Sequence, residues 1–307
     1  MTAFSNKIAF VVPTKDHPEP LRRMLGSLAS QSCLPQQIVV VDGSEPTVEH
    51  IVKEFPSLNI DYIREYPPSL ARQRNVGMAA VKESMNLAGY LDDDLVLEPG
   101  CIEAVMRFWE SAAPDVGGVR FNIISDPMPK ATWLKSLFMT DSHDRGRVLP
   151  SAHVSMIGPV SQDKYVDWLS GGATVWRKQV VEEFAYDEWF EGTGYLEDVE
   201  YSYRVHKAYK LMVVSDAKVK HFSSPVRREM NYTLGKWQII NRMYFVNKNP
   251  EFARPLVYWS ILGDLVLNLG ASIWKRDSGL LLRAKGNCAG VLILATGRSQ
   301  KIGGVLK

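Results

Sequence analysis

Cysteine is scarce in this chain. Cys33, Cys101 and Cys288 are its three cysteines in 307 residues, odd in number, far apart and without Cys-x-x-Cys spacing, so neither a disulfide framework nor a cysteine zinc site is expected. That usage favours the cytosol. An excess of charge of one sign is also missing: 36 Lys and Arg stand against 34 Asp and Glu, a formal net charge of +2, which gives no reason to expect a nucleic-acid-binding protein. Long apolar runs are few. Met1 to Lys7 is polar, and Ile8 to Val12 is too short for a secretory core. The nearest approach to a membrane span, Pro255 to Trp274, contains Asp264 and Asn268 and reads as a membrane-surface or core helix. With 46% hydrophobic and 23% charged residues, the chain has the composition of a folded protein, long enough for one large domain or two.

The feature that is present and needs a reason is Asp92-Asp93-Asp94, directly after the apolar run Leu87 to Leu91. Adjacent ionised carboxylates repel one another, and a hard divalent cation is a strong reason to keep them together where a buried strand ends. A solvated acidic turn is the alternative.

The surrounding pattern bears on that choice. Ile8 to Val12 reads as a strand stopped by Pro13-Thr14; Leu21, Met24, Leu25 and Leu28 then follow helical spacing. Ile38 to Val41 is a second strand, Asp42-Gly43-Ser44 a turn, and Val48, Ile51, Val52 and Phe55 repeat the helical spacing. A third strand near Ile60 to Ile63 precedes a helical stretch from Leu70 to Met85. The strand ending at Leu91 precedes Ile102, Val105, Met106 and Trp109, again helix-spaced, and Val116 to Phe121 is the next strand. This alternation predicts an α/β fold with a mostly parallel sheet flanked by helices. Ligands bind such sheets at the carboxyl ends of the strands, so Thr14, Asp42 and Asp92 to Asp94 should face one crevice.

Taken in order, Val12-Pro13-Thr14, Val41-Asp42-Gly43-Ser44, Ala71-Arg72-Gln73-Arg74-Asn75 and Leu91-Asp92-Asp93-Asp94 resemble the nucleotide-binding half of a family 2 glycosyltransferase with the GT-A, Rossmann-like fold. Gly171-Gly172-Ala173 with Trp176-Arg177 resembles the family's acceptor-side strand, Glu197-Asp198 followed by Arg204 its Glu-Asp helix start, and His221 the His that closes its catalytic domain. The resemblance covers residues 6 to 225. It implies a GT-A catalytic domain over 1–225, with a nucleotide-sugar half to about 125 and an acceptor half over 126–225, and a helical, basic extension over 226–307.

The resemblance also implies roles. Asp42, with Pro13 and Thr14, would receive the base of a UDP-, dTDP- or GDP-sugar; a turn-stabilising Asp is the alternative. Arg74, and less so Arg72, would steady the diphosphate. Asp92 and Asp94 form the Asp-x-Asp pair, with Asp94 the direct ligand of Mn²⁺ or Mg²⁺, Asp92 and His221 further metal-side candidates, and Asp93 turned toward the nucleotide or into the fold. Asp198 would be the general base and Glu197 its neighbour in the acceptor site; the alternative is an acidic first helical turn complementing the helix dipole. Trp168, Gly171, Gly172 and Trp189 are the acceptor-side candidates. One displacement opposite the leaving group makes the expected enzyme inverting.

One departure is Val41, where the family often has a second acidic residue before its Gly-Ser. Residues 127–161 lack long apolar periodicity and read as an acceptor loop or lid. After His221, basic residues alternate with aromatics, and seven Lys or Arg follow Trp274 against Asp277 alone. That suits either an anionic membrane surface beside a lipid-linked saccharide acceptor or a helical cap with a solvated basic face. The expected setting is the cytoplasm or the cytoplasmic face of a membrane. A nucleotidyltransferase would also use an Asp-bound metal, but Pro13-Thr14-Lys15-Asp16 lacks that class's glycines; a non-catalytic nucleotide-sugar-binding protein would not need Asp94 together with Asp198.

Overall fold

A computed structural model describes residues 4–128, 130–190, 194–222 and 227–296. The strands are β1 (Ile8–Thr14), β2 (Gln37–Asp42), β3 (Ile60–Arg64), β4 (Leu87–Leu91), β5 (Leu95–Leu97), β6 (Val116–Ile123), β7 (Lys164–Val166), β8 (Ala173–Arg177) and β9 (Lys210–His221). The helices are α1 (Pro18–Ala29), α2 (Glu49–Val52), α3 (Leu70–Ala79), α4 (Cys101–Ser111), α5 (Trp133–Leu137), α6 (Lys178–Glu183), α7 (Glu197–His206), α8 (Met230–Lys248), α9 (Arg254–Trp274) and α10 (Ser278–Ala295). Residue contacts divide the chain into two compact units, one holding residues up to 128 with 158–222, the other 130–157 with 227–296.

The first unit is built on one mixed sheet in the order β3-β2-β1-β4-β8-β6-β9-β5, with β7 also on β9. β3, β2, β1 and β4 run parallel, as the β/α alternation requires, and β8 is antiparallel to both β4 and β6. β1 and β2 are buried at every position because helices cover both faces, which is why they read as continuous apolar runs rather than alternating ones. Ile8, Phe10 and Val12 join Leu21, Met24, Leu25 and Leu28 of α1 in the main core. Val11 points the other way, with Val41, to the place where Gly77 of α3 sits. Burying each of these large side chains contributes about 1.5–3 kcal/mol.

Three boundaries differ from the sequence reading, each for a local reason. Pro13 and Thr14 belong to β1 instead of stopping it. They pair with Val41 and Asp42 of β2 but lie beyond Val11, the last β1 residue paired with β4, so Pro13 sits where one edge of the strand is already open. The second helix shrinks to Glu49–Val52 because Pro56 disfavours a helical Phe55. α3 ends at Ala79 because the Gln37 carboxamide takes over the next backbone groups, donating to Ala80 O at 2.9 Å and accepting from Lys82 N at 2.9 Å.

The second unit contains α5, α8, α9 and α10. Residues 130–157, read from sequence as an acceptor loop or lid, fold here: Ser151 donates to Met139 O at 2.6 Å, Arg145 pairs with Asp141 at 2.7 Å, and Val148 bridges Val154. α9 starts with Pro in its first turn, and α10 is capped by Asp277, which accepts from Gly279 N and Leu280 N. Arg298, Lys301 and Lys307 of the basic tail lie outside the described residues.

A β-carbon at Gly77 would run into Val11 and Val41, so α3 approaches the sheet only because that position is bare. Gly77→Ala is expected to destabilise the first unit by about 1–3 kcal/mol through overpacking. A urea titration followed by circular dichroism checks this, with the surface change Lys53→Ala as the control that should leave the midpoint unmoved.

Candidate active site

Because β1, β2 and β4 are parallel, Thr14, Asp42 and Asp92 come off the same edge of the sheet. Gly43 N donates to Thr14 O at 2.9 Å, and Gln73 of α3 donates its amide to both Thr14 O (3.0 Å) and Val41 O (2.9 Å), tying two strand ends to one helix. Asp42 is completely buried. It accepts from Ser44 N (2.7 Å), Val48 N (2.8 Å) and the Tyr62 hydroxyl (2.6 Å), with Arg64 at 3.7 Å. Burial pushes its carboxyl upward, but these bonds outweigh it and hold the group below the ordinary range. Both oxygens thus organise the 43–48 loop, the turn-stabilising role, and neither faces outward.

The three consecutive aspartates separate into three tasks. Asp93 turns into the fold, accepting from the Thr14 hydroxyl at 2.6 Å and lying 3.3 Å from His17 Nδ1. Asp92 reaches Arg74 Nη2 at 3.3 Å; burial raises its carboxyl, against the pull of Arg74 and with the push of Asp94 and Asp93. Asp94 meets His221, because β5 runs antiparallel to β9 with Leu95 opposite His221 and Phe222 N bonded to Asp94 O. His221 Nε2 lies 3.2 Å from Asp94 Oδ1, and that carboxylate raises the imidazole. The contact is not aligned as a hydrogen bond, so Asp94 Oδ1 is a buried oxygen without a donor. Such an oxygen beside an imidazole suits a hard or borderline cation. Among the described residues no group of three or more His, Cys, Asp or Glu is gathered as a metal site.

Arg74 connects these groups to the other half of the site. It is 2% exposed, donates to Glu197 Oε1 at 2.8 Å and to Asp92 at 3.3 Å, and lies 4.9 Å above the Tyr186 ring. Its Nε has no partner. Asn75 fixes Tyr186 by bonding both its N and its O at 2.9 Å, and Tyr186 stacks on Tyr201 of α7 at 4.3 Å. Arg72, by contrast, is exposed and paired with Glu65.

Two glycines make the approach possible. A β-carbon on Gly171 would strike the Arg74 guanidinium, and one on Gly172 the Asp92 carboxylate; Asp92 N also bonds Gly172 O at 2.7 Å. Gly171 N donates to Asp198 Oδ2 at 3.3 Å, and Val199 N to its Oδ1 at 2.8 Å. Burial raises Asp198, opposed by Arg74 and by those two N–H groups. Burial and the neighbouring Asp198 likewise push Glu197 up, against Arg74. Just before them Leu196 holds a left-handed φ of 74°, a conformation that costs a non-glycine residue about 1–3 kcal/mol and recurs at functional turns.

The structure therefore brings together Thr14, Arg74, Asp92, Asp93, Asp94, Gly171, Gly172, Glu197, Asp198 and His221, with Pro13 beside them and Asp42 one layer behind. Trp168 is 4% exposed and part of the interior, whereas Trp189 is half-buried and packs edge-on against Phe190. Sequence reasoning missed Gln73, Tyr186 and His17. Gln73 stood within a quoted motif and His17 in the loop after the first strand, but nothing around Tyr186 marked it.

Comparison with known proteins agrees with this geometry. Residues 9–158 match the sequence model of Glycosyl transferase family 2. These residues carry the sequence of a family 2 glycosyltransferase domain. A chondroitin synthase from Escherichia coli is 30% identical over 169 residues, a match that takes in 52% of this chain and 24% of that protein, so the chain spans about a quarter of its relative. Two solved structures share the fold: S. aureus TarS residues 1–349 (16% identity, TM-score 0.51, covering 95% of this chain and 91% of that one), and the mannosyltransferase PcManGT from Pyrobaculum calidifontis in complex with GDP-Man and Mn²⁺ (14%, TM-score 0.55, 97% and 83%). The family 2 domain has the GT-A fold, with helices following it in the chain.

Removing Arg74 would leave the buried Glu197 uncompensated and the partly exposed Asp92 without its partner. Arg74→Met is expected to cost about 3–5 kcal/mol, read from denaturant unfolding; if Glu197→Gln is then added, part of that loss should return, since one stranded charge is gone.

Proposed function

We propose that this family 2 domain transfers a sugar from a nucleoside diphosphate donor to a hydroxyl of a saccharide or lipid-linked saccharide, inverting the anomeric centre, with Asp198 as general base. The observation that supports this most directly is the single buried guanidinium of Arg74 between Asp92 on the donor side and Glu197, next to Asp198, on the acceptor side. One rigid cation thus sets the spacing between the groups that hold the donor and the group that takes the proton.

Thr14 and the 43–48 loop line the base pocket in this reading, and Asp42 serves it by fixing that loop. Asp94 and His221 are the protein ligands for Mn²⁺ or Mg²⁺, with Asp92 beside them. When bound, the cation neutralises charge on the departing diphosphate. Asp198 accepts the acceptor's hydroxyl proton while that oxygen bonds to the anomeric carbon and the bond to the diphosphate oxygen breaks. The N–H groups of Gly171 and Val199 aim its carboxylate, and its raised proton affinity makes it a better base than an exposed Asp. Glu197 stays with Arg74 and positions the start of α7. Trp189, partly exposed, is the aromatic face offered to an acceptor ring.

Asp198→Asn should lower transfer about 10²–10⁴-fold while leaving donor binding intact; Asp94→Asn should lose the Mn²⁺-dependent part of donor binding. A thermal-shift screen of UDP-, dTDP- and GDP-sugars with and without Mn²⁺ reads binding and names the donor. Equal loss of donor binding in Asp198→Asn would refute the base assignment.

The pH profile has a definite sign. Asp198 must be ionised to accept a proton, so activity falls as pH drops through its pKa. Burial raises that pKa, which places the acidic limb of kcat above the ordinary carboxylate value of about 4. An acidic limb at or below that value would mean that an exposed carboxylate is the base.

A further inference from the structure

The second unit keeps an apolar interior, with Ile239, Phe245, Val246, Val257 and Ile261 buried, but α9 and α10 also turn much of their apolar surface outward. On α9, Leu262, Val266, Leu269 and Ile273 recur at helical spacing and all are exposed, with Trp259 and Trp274 near the two ends of the stripe; Trp274 is 88% exposed. From Tyr258 to Trp274 every exposed side chain is apolar or aromatic. The residues turned inward include Ser260, Asp264 and Ser272. A helix that meets water does the opposite, showing charge outside and hiding its aliphatic face.

The inner polar groups face one another, Asp264 through charge contacts without an aligned hydrogen bond to Oδ2, Asn268 and Asn287 through hydrogen bonds. Asp264 Oδ2 lies 3.3 Å from His153 Nε2 and 3.6 Å from Arg242 Nη2. Asn268 donates to Asn287 at 2.8 Å, and Asn287 donates to Gly235 O and to Gln238 at 2.9 and 3.0 Å. α10 repeats the inversion: Gly279, Ala284, Gly286, Asn287 and Gly290 are buried, while Leu281 and Leu292 are outside. A β-carbon on Gly286 would strike the backbone of Tyr232 and Gly235 on α8. Small residues and shared amides inside with leucines outside is the packing that helices use where the solvent itself is apolar. α9 and α10 are apolar and long enough to cross a membrane by length and composition, yet 22% and 28% of their most apolar windows are buried, so neither is a core helix of a soluble unit.

We propose that the outer faces of α9 and α10 seat in the interfacial and upper acyl region of an anionic lipid leaflet. The helices lie in that leaflet rather than crossing it, because α8, with Lys236, Arg242 and Lys248, and the segment holding His153 pack on their inner side. Charge selects the occupant. Residues 227–296 carry ten Lys and Arg against four Asp and Glu, although the whole chain is nearly balanced. Lys275 and Arg276 are exposed at the tip between the two helices, and Lys285 sits between Leu281 and Leu292 on the outer stripe, where its ammonium can reach headgroups while its stem lies along lipid. This surface is independent of the chemistry proposed for the sheet edge, and each can fail without the other.

Flotation of the full chain with vesicles of phosphatidylcholine, with and without phosphatidylglycerol, tests it. Binding is expected to both, at least tenfold stronger with phosphatidylglycerol, and to fall at least tenfold in Leu262→Glu/Leu269→Glu, a variant whose circular dichroism should be unchanged because both side chains point outward. Brominated acyl chains should quench tryptophan emission, and less so in Trp274→Phe. The proposal is overturned if the wild-type chain stays soluble with both vesicle types. It also fails if Lys275→Glu/Arg276→Glu alone abolishes binding that Leu262→Glu/Leu269→Glu retains. Finally, it fails if sedimentation shows a dimer that the Leu-to-Glu variant dissolves while neither protein floats.

Discussion

One buried guanidinium, shared by the buried Glu197 and the partly exposed Asp92, holds this site in register. Arg74 is almost inaccessible, and its charge is tolerable only because Asp92 and Glu197 meet its two terminal nitrogens and the Tyr186 ring lies beneath it. The dependence runs both ways. Asp92 and Glu197 are themselves raised by burial, and Arg74 is the partner that opposes the rise. Remove the guanidinium and the strand end after β4 and the start of α7 lose their direct link, leaving only the connection through Gly171 and Gly172. Gly171 and Gly172 follow from the same constraint, since any side chain there would occupy the space of the Arg74 or Asp92 head groups.

Much of this was legible in sequence because parallel β/α units translate directly into place. Once β1, β2 and β4 run the same way, the residues after them must share an edge, and Thr14, Asp42 and Asp92 to Asp94 do. The helix faces were legible for the same reason: Leu21, Met24, Leu25 and Leu28 are the four buried residues of α1. Position along an edge does not fix orientation, however. Asp42 and Asp92 come off the two strands that flank β1, yet one is saturated by Ser44, Val48 and Tyr62 and the other is turned to Arg74. No spacing rule distinguishes them, because the difference lies in which donors the following loops deliver. Asp93 repeats the lesson, since the hydroxyl that claims it is Thr14, 79 positions earlier.

The contacts that sequence reasoning missed all join segments far apart in the chain. Tyr186 matters because Asn75, 111 positions away, fixes its backbone and Arg74 lies over its ring. Gln73 matters because one amide meets two strand ends. Helix ends failed for a related reason: α3 has no breaker where it stops, and the carboxamide that stops it comes from β2. Local propensity decides such boundaries only when no side chain from elsewhere offers the backbone a better partner.

The C-terminal helices show what a hydropathy reading leaves open. Asp264 and Asn268 argue against a simple span when α9 is read as a string, because a charge within a membrane helix is costly. In the fold they point the other way. Asp264 finds His153 and Arg242, Asn268 finds Asn287, and the polar groups are withdrawn from the outer surface. Once inner pairing removes them, what remains outside is Leu, Val, Ile and Trp with no charge between Tyr258 and Trp274. The polar residues are then the reason an apolar surface can exist on a folded unit, because they hold α9, α10 and α8 together without spending leucines on the interior. An outer face so composed gains free energy only by leaving water, and the basic residues at its tip favour a surface of opposite charge.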